Sequence, residues 1–227
     1  MHKIYAFIFA REKSVRLKNK NLQKIDNKSL LEHSISIAKQ NKNISKIFVS
    51  SDSKKILSLA KKNNVYCIKR PKKLCKFNSK EIYSWQHAIN YLKKENDKFD
   101  IFLSLPTTAP LRSSNDIKRL IKDFKKKKSD ITITATKTNR YPFLNMIAVD
   151  KKGYAKIAAK ENNKIKLNKF YEITTVGYIS SPKYILGTNN YFSGKVRIVE
   201  IPRDRSIDID DKFDLDFARN LYKRNNS

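Results

Sequence analysis

Residues 10–22 carry the side chains with the clearest chemical potential. The segment reads Ala-Arg-Glu-Lys-Ser-Val-Arg-Leu-Lys-Asn-Lys-Asn-Leu, and Arg11, Ser14, Arg16 and Lys20 project from it directly after an apolar run. A triphosphate needs several fixed positive charges and hydroxyl or amide donors, because its charge must be offset before a nucleophile can approach the α-phosphorus. Two arginines, a lysine and a serine form such a set. The segment is neither a Walker loop nor a dinucleotide fingerprint, since both glycine patterns are absent. Towards the other end of the chain, Ser206-Ile207-Asp208-Ile209-Asp210 alternates polar and apolar residues, so that a strand there would set Asp208 and Asp210 on one face. Adjacent carboxylates repel unless a cation lies between them. Hard oxygen ligands of this kind suit Mg²⁺, which keeps some waters and takes further ligands from phosphates. Asp211 and Asp214, at the start of a helical pattern, read as capping acids and are not counted as ligands.

These groups need a scaffold that brings distant parts of the chain together. Apolar runs over residues 3–10, 46–50, 65–68 and 100–105 alternate with helical patterns over 29–40, 53–63, 79–94 and 115–126. Such alternation predicts a parallel α/β sheet wrapped by helices, and ligands bind at the carboxyl edge of such sheets. Capping-box pairs mark three helix starts: Ser29 with Glu32, Asn78 with Glu81, and Ser113 with Asp116. Ile117, Leu120, Ile121 and Phe124 then lay one apolar stripe along the last of these helices. After a strand over 131–136 the alternation fades, and residues 139–168 read as a hairpin-like excursion turning at Lys151-Lys152-Gly153. The chain returns through strands over 170–179 and 196–201 and closes with a helix over 211–223. At 227 residues, without repeats or a long linker, this is one domain with an appended lobe.

The net charge of +29 invites a nucleic-acid reading. The lysines, however, are spread over every helical pattern, opposite the apolar positions, where solvated faces explain them. Abundant lysine, asparagine and isoleucine with scarce glycine also suit an AT-rich coding sequence. Nucleic-acid binding is therefore not the expectation, whereas an anionic substrate fits the charge. Cys67 and Cys75 lack metal-ligand spacing, and no run approaches the roughly 18 apolar residues of a membrane span. A cytoplasmic protein without a membrane segment is expected. His33, His87 and Trp85 sit inside helical patterns and read as packing residues; Arg112 could meet either substrate or an ion-pair partner.

In order along the chain, the 10–22 string, Val49-Ser50-Ser51-Asp52-Ser53, Lys69-Arg70-Pro71, Pro106-Thr107-Thr108-Ala109-Pro110-Leu111-Arg112 and 206–210 resemble the successive motifs of the acylneuraminate cytidylyltransferases. Tyr141-Pro142-Phe143-Leu144-Asn145-Met146 and Thr174-Thr175-Val176-Gly177-Tyr178 resemble that family's sugar-side region. The likeness spans nearly the whole chain. It implies an α/β fold with a mostly parallel, doubly wound sheet and a homodimer clasped through the 139–168 lobe. It also implies Mg²⁺-dependent transfer of CMP from CTP to the anomeric hydroxyl of an acidic 3-deoxy keto-sugar, with release of diphosphate. Carried over residue by residue, it puts Arg11 and Lys20 on the CTP phosphates, Ser14, Arg16 and Asn21 in shaping the loop, and Arg70 near the cytosine. Asp208 and Asp210 fall to magnesium, with Asp210 towards the reacting hydroxyl, so that Arg11, Lys20 and Asp210 form the catalytic set. Asn145, Tyr178 and Phe192 are the candidates for bordering the sugar.

The chain departs from the family pattern in two places. Glu12-Lys13 and Lys18-Asn19 replace small residues that let backbone amides approach phosphate, which leaves a cradle dominated by side chains; Asn19 still tolerates a left-handed backbone. After Arg70-Pro71, Leu74-Cys75-Lys76-Phe77-Asn78-Ser79-Lys80-Glu81 lacks the family's small hydroxyl at its usual place beside the base. The same chemistry on an octulosonate, legionaminic or pseudaminic acid is the alternative reading. A non-catalytic nucleotide- or nucleic-acid-binding protein is the rival from another class.

Overall fold

The computed structural model describes residues 2–138, 140–159 and 170–226. In chain order the strands are β1 (Ile4–Phe9), β2 (Lys24–Ile25), β3 (Lys28–Ser29), β4 (Ile44–Ser51), β5 (Tyr66–Lys69), β6 (Ile101–Ser104), β7 (Ile131–Lys137), β8 (Ile147–Val149), β9 (Ala155–Ile157), β10 (Tyr171–Ser180) and β11 (Val196–Glu200). The helices are α1 (Leu30–Lys39), α2 (Lys54–Lys62), α3 (Glu81–Lys94), α4 (Ser114–Lys126), α5 (Pro182–Leu186) and α6 (Lys212–Asn226). Seven strands form one sheet in the order β11-β7-β10-β6-β1-β4-β5. β10 alone runs antiparallel, inserted between β6 and β7, so the sheet is mixed and mostly parallel, with helices on both faces.

The sequence of β1, Ile-Tyr-Ala-Phe-Ile-Phe, is apolar throughout because this strand is central and covered on both sides. Ile4, Ala6 and Ile8 belong to one core with Leu31 and Ile35 of α1, Ile56 of α2, and Ile117 and Leu120 of α4. Tyr5 and Phe7 belong to the other, with Ile82, Trp85 and Ile89 of α3 and the Phe102 ring, 4.7 Å from that of Phe7. The two largest buried aromatic contributions to the sheet therefore lie under α3, the helix whose first turn borders the cavity described below.

Two capping boxes form as the sequence predicts, Ser29 with Glu32 and Ser113 with Asp116. The third does not. α3 begins after Lys80, without a side-chain cap, and Asn78 lies outside the helix. The predicted strand at 206–210 is also absent: the segment pairs with no strand and meets the sheet through one backbone bond, from the Ile209 amide to the Thr108 carbonyl at 2.8 Å. Its alternation holds only over 208–210, where Ile209 is buried against Leu30 and Leu215 between the exposed Asp208 and the half-buried Asp210, whereas Ser206 is buried.

β10 carries a bulge between Thr174 and Tyr178. The Thr134 hydroxyl holds it, lying 3.1 Å from the carbonyls of Thr174 and Gly177 and accepting from the Gly177 amide at 3.0 Å. A Cβ at Gly177 would come within 2.9 Å of the buried Leu120 Cδ2, so only glycine lets the bulged strand sit against α4. Beyond β7, the described part of the excursion contains the β8–β9 hairpin turning at Gly153 (φ 88°), with Ile147, Val149 and Ile157 exposed. Positions 139 and 160–168 of the anticipated lobe lie outside the described residues. Among the described residues no helix is long and apolar enough to cross a membrane, and Cys67 and Cys75 are free thiols.

Asp116, fully buried, caps α4 through Ser113 and takes a two-pronged ion pair from Arg205 at 2.9 and 3.1 Å. Burial works to raise its pKa, but Arg205 and Ser113 outweigh it and hold the carboxyl below the ordinary carboxylate range. Its stabilising contribution is thus complete above the unfolded value and fades as pH falls through the depressed one. Arg205→Ala should lower the unfolding free energy by about 1–3 kcal/mol in urea titration at pH 7, with the gap between variant and parent closing in strong acid. An equal midpoint at pH 7 would refute this role.

Candidate functional site

The loop after β1 is shaped from within. Asn19 adopts the left-handed conformation (φ 53°) and starts a 3₁₀ turn over Lys20–Leu22, which turns Lys20 back towards the sheet edge. The Asn21 amide nitrogen donates to the Arg11 carbonyl at 2.8 Å, and its oxygen accepts from the buried Thr107 hydroxyl. The loop is therefore fastened to the end of β6. At its tip the Glu12 amide donates to Asp52 at 2.8 Å, fastening it to the end of β4 as well.

Two of its cations meet the C-terminal segment. Lys20 Nζ donates to the Ile209 carbonyl at 2.9 Å and to Asp210 at 3.0 Å, and Arg16 pairs with the other oxygen of Asp210 at 2.8 Å. Arg11 points elsewhere, 3.4 Å from the Lys76 carbonyl and 5.8 Å above the Phe77 ring. Asp208 accepts from Thr175 at 3.0 Å, whose hydroxyl accepts in turn from Thr108 at 2.9 Å. The bulge of β10 is what brings Thr175 to this chain. Asp211 and Asp214 bond each other's amides at the start of α6, which makes them capping residues as the sequence indicated.

Between these groups lies a cavity of about 280 Å³. Of the residues singled out from the sequence, Arg11, Ser14, Lys20, Asn21, Arg70, Asp208 and Asp210 all line it, and Arg16 stands at its rim through Asp210. Arg70 is buried; its amide is bound by Ser51, one guanidinium nitrogen donates to Ser84 at 3.1 Å, and Nε has no partner. Asn145, Tyr178 and Phe192 are not brought there. Asn145 accepts from the Tyr141 amide in the turn before β8. Tyr178 is 5% exposed, packed against Trp85 and Tyr191, and burial raises its pKa. Phe192 packs beside Tyr191 on the outer surface. Arg112 meets neither of its anticipated partners: it is buried, donates to the carbonyls of Pro106 and Ala109, and burial lowers its pKa to about 9. His33 is held by the Ile25 carbonyl, and burial keeps its pKa low, in line with a packing role.

Other cavity residues had no site role assigned from the sequence, although all but Ser84 stand in motif segments noted there. Ser79, Glu81 and Ser84 line the wall formed by the start of α3, and Thr107, Thr108 and Thr175 the opposite side. Glu81 read as a capping residue for Asn78; in the fold its side chain is exposed, and the space it is exposed to is the cavity, with protein packed densely around that mouth. Burial pushes its pKa up to about 7, with Asp208 adding to the rise and Trp85 and Arg70 pulling against it. Its spacing of three from Ser84 places both on one helix face, a signal that becomes informative only once Arg70 is known to lie opposite. The lining contains Arg11, Lys20, Arg70 and Lys76 against Glu81, Asp208 and Asp210. Such a cavity can take an anion at its cationic rim and, at its carboxylates, a cation or a hydrogen-bond donor. Among the described residues no cluster of three or more histidine, cysteine, aspartate or glutamate side chains could by itself hold a metal.

Comparison with known proteins matches residues 5–178 to the family described as Cytidylyltransferase. A Campylobacter coli protein named post-translational flagellin modification protein B is 28% identical over 232 residues, covering 100% of this chain and 97% of that one. A pseudaminic acid cytidylyltransferase of Campylobacter jejuni is 28% identical over 143 residues, 62% of this chain and 61% of that protein. Among solved structures, a CMP:2-keto-3-deoxy-manno-octonic acid synthetase in complex with CTP superposes with a TM-score of 0.71 at 14% identity, covering 98% and 99% of the two chains. That likeness establishes the shared fold.

The Glu81 carboxyl should titrate with a midpoint near 7 when followed by carbon-13 NMR, against about 4.3 for an unperturbed glutamate. With the folded pKa raised, the unfolded chain ionises first, and the folded state loses stability as pH climbs between the two values. Glu81→Gln should therefore match the parent in thermal stability at pH 4 and exceed it at pH 8. A midpoint below 5 would refute the environment described.

Proposed function

Because the chain belongs to the cytidylyltransferase family, we propose that it transfers CMP from CTP to the anomeric hydroxyl of an acidic 3-deoxy keto-sugar and releases diphosphate. The observation that carries this reading is the meeting of Lys20 and Arg16 with Asp210 at a cavity that Arg11, Ser14 and Asp208 also line or border. Phosphate-binding cations from the start of the chain thus stand against carboxylates from its end, which is the charge arrangement a nucleoside triphosphate accompanied by a divalent cation requires.

In the reaction the sugar hydroxyl oxygen forms a bond to the α-phosphorus while the bond from that phosphorus to the diphosphate oxygen breaks, and the hydroxyl proton is released to solvent. Arg11 and Lys20 neutralise charge that grows on the departing diphosphate. Asn21 contributes through the backbone, fixing the Arg11 carbonyl and with it the loop. Arg70 faces the nucleoside. Positioning and charge supply the catalysis, and no covalent enzyme intermediate is needed.

Mg²⁺ fits this donor set. Asp208 and Asp210 offer hard oxygen ligands on one cavity wall, and fewer than a full shell of protein ligands is the usual arrangement for this ion beside phosphates. Asp208 and Asp210 would hold it, and when bound it would withdraw charge from the phosphates and acidify the sugar hydroxyl. Asp210 is paired with Arg16 and Lys20; a triphosphate competing for those two cations would free the carboxylate.

For the acceptor we favour a nine-carbon keto-sugar acid of the sialic or pseudaminic type, which the sequence motifs and the relative named for pseudaminic acid support. Its carboxylate also suits the basic chain. The exposed Ile147, Val149 and Ile157 of the β8–β9 hairpin suit a homodimer contact, and a CTP-dependent reaction suits the cytoplasm.

Diphosphate release should appear with CTP, Mg²⁺ and one of a panel of sialic, pseudaminic, legionaminic and octulosonic acids. Asp210→Ala, folded by circular dichroism, should lose at least about 10²-fold in turnover, and Lys20→Ala should lower kcat while raising KM for CTP. Near-normal turnover by Asp210→Ala would remove the metal assignment, and an unchanged Lys20→Ala profile the phosphate assignment. Salt-sensitive nucleic-acid binding without any CTP-dependent release would favour the non-catalytic reading instead.

A further inference from the structure

Resting on that reading, the geometry points to Glu81 as the residue that selects cytosine over uracil. With the triphosphate at Arg11, Lys20 and Arg16, the nucleobase falls towards the part of the cavity walled by Leu74, Ser79, Ser84 and the buried Arg70. An apolar side chain with a few convergent polar groups is the lining that suits a flat heterocycle. Glu81 is the carboxylate of that wall.

The three carboxylates of the cavity are not equivalent. Asp210 is held by two cations and Asp208 by a threonine hydroxyl. Among the described residues no hydrogen bond of ordinary length reaches the Glu81 carboxylate; the buried indole N–H of Trp85 lies near enough to favour its charge but closes no bond with it. Being accessible from the cavity, it is the carboxylate left free for a ligand's donor. Cytosine and uracil differ at the 4-position, where cytosine presents an amino donor and uracil a carbonyl acceptor. Ionised, the carboxyl accepts from the first and repels the second; protonated, it can donate to the second, so the selection belongs to the ionised form. A donor arriving there also favours the charged form, offsetting the burial that raises the pKa. Sequence supports the substitution of roles, since Glu81 stands in the stretch where the family pattern has its small hydroxyl.

The test compares CTP and UTP on parent and Glu81→Gln protein, by calorimetric binding and, where an acceptor sugar turns over, by kcat/KM. At a pH above about 8, where Glu81 is ionised, the parent should prefer CTP by at least about tenfold, the cost of one mispaired polar group. Glutamine offers either an acceptor or a donor by turning its amide, so the variant should bind the two nucleotides within about threefold of each other. Glu81→Ala, with matching thermal stability, should likewise lose the preference by weakening CTP. Retained preference in both variants would overturn the assignment, as would an equal loss of turnover with both nucleotides at unchanged binding ratio. CTP selectivity in binding without diphosphate release for any sugar would instead spare Glu81 and count against the transferase reading. A parent that binds neither nucleotide overturns both.

Discussion

The arrangement of the cavity depends on the buried carboxylate of Asp116. It caps α4, and through Arg205 it anchors the segment that runs on to Asp208 and Asp210. That segment has no sheet partner of its own, so its position is set by this ion pair, by the burial of Ile209 and by one amide bond to Thr108. A charge with no solvent exposure must be paired to be tolerated. Asp116 can be paired only when α4 and the 203–205 turn are both in place, which couples the end of β6 to the carboxylates of the site.

On the other side of the cavity the same logic runs through hydrogen bonds. Asn21 joins the Arg11 carbonyl to Thr107, and Glu12 joins the loop tip to Asp52. A loop poor in glycine cannot wrap phosphate with close amides, and here its lysine and arginine side chains do the reaching. Two of these cations, Arg16 and Lys20, neutralise Asp210. The site is thereby self-compensated: its like charges do not face one another bare, and a ligand has to exchange for an existing pair. Glu81 takes no part in this pairing, and the protein packed around it, with Asp208 adding to the effect, makes it keep a proton more readily.

Much of this was legible in the chain. Strand and helix alternation gave the layered sheet because a period of two and a period near 3.6 differ strongly over ten residues. Ser29 with Glu32 and Ser113 with Asp116 marked their helices because capping is satisfied within one turn. Complementary charge pointed to Arg11, Ser14 and Lys20 with Asp208 and Asp210, while Asn21 and Arg70 entered only through the family resemblance; all of them line the cavity. Where local reading went astray, a distant contact had intervened. Asn78 and Glu81 have the spacing of a capping box, but α3 starts later and Glu81 faces the cavity. Asp208 and Asp210 have the alternation of a strand, but the segment meets Thr108 just beyond the end of β6, which β1 and β10 already flank on both sides.

The sequence by itself determined the elements, the mostly parallel sheet and the residue types able to meet a triphosphate, because these rest on periodicity, capping and charge within short stretches. Tertiary structure decided which side chains share a cavity. Tyr178 is an exposed-looking aromatic in a motif, yet the packing of Trp85 and Tyr191 takes it into the core. Arg112 has the look of a substrate ligand, yet two carbonyls of its own loop hold it. Thr175 reaches Asp208 only because Thr134 and Gly177 bulge β10 towards it. Each of these outcomes turns on burial and on partners tens of residues away, and neither quantity is encoded in the local pattern that sequence exposes.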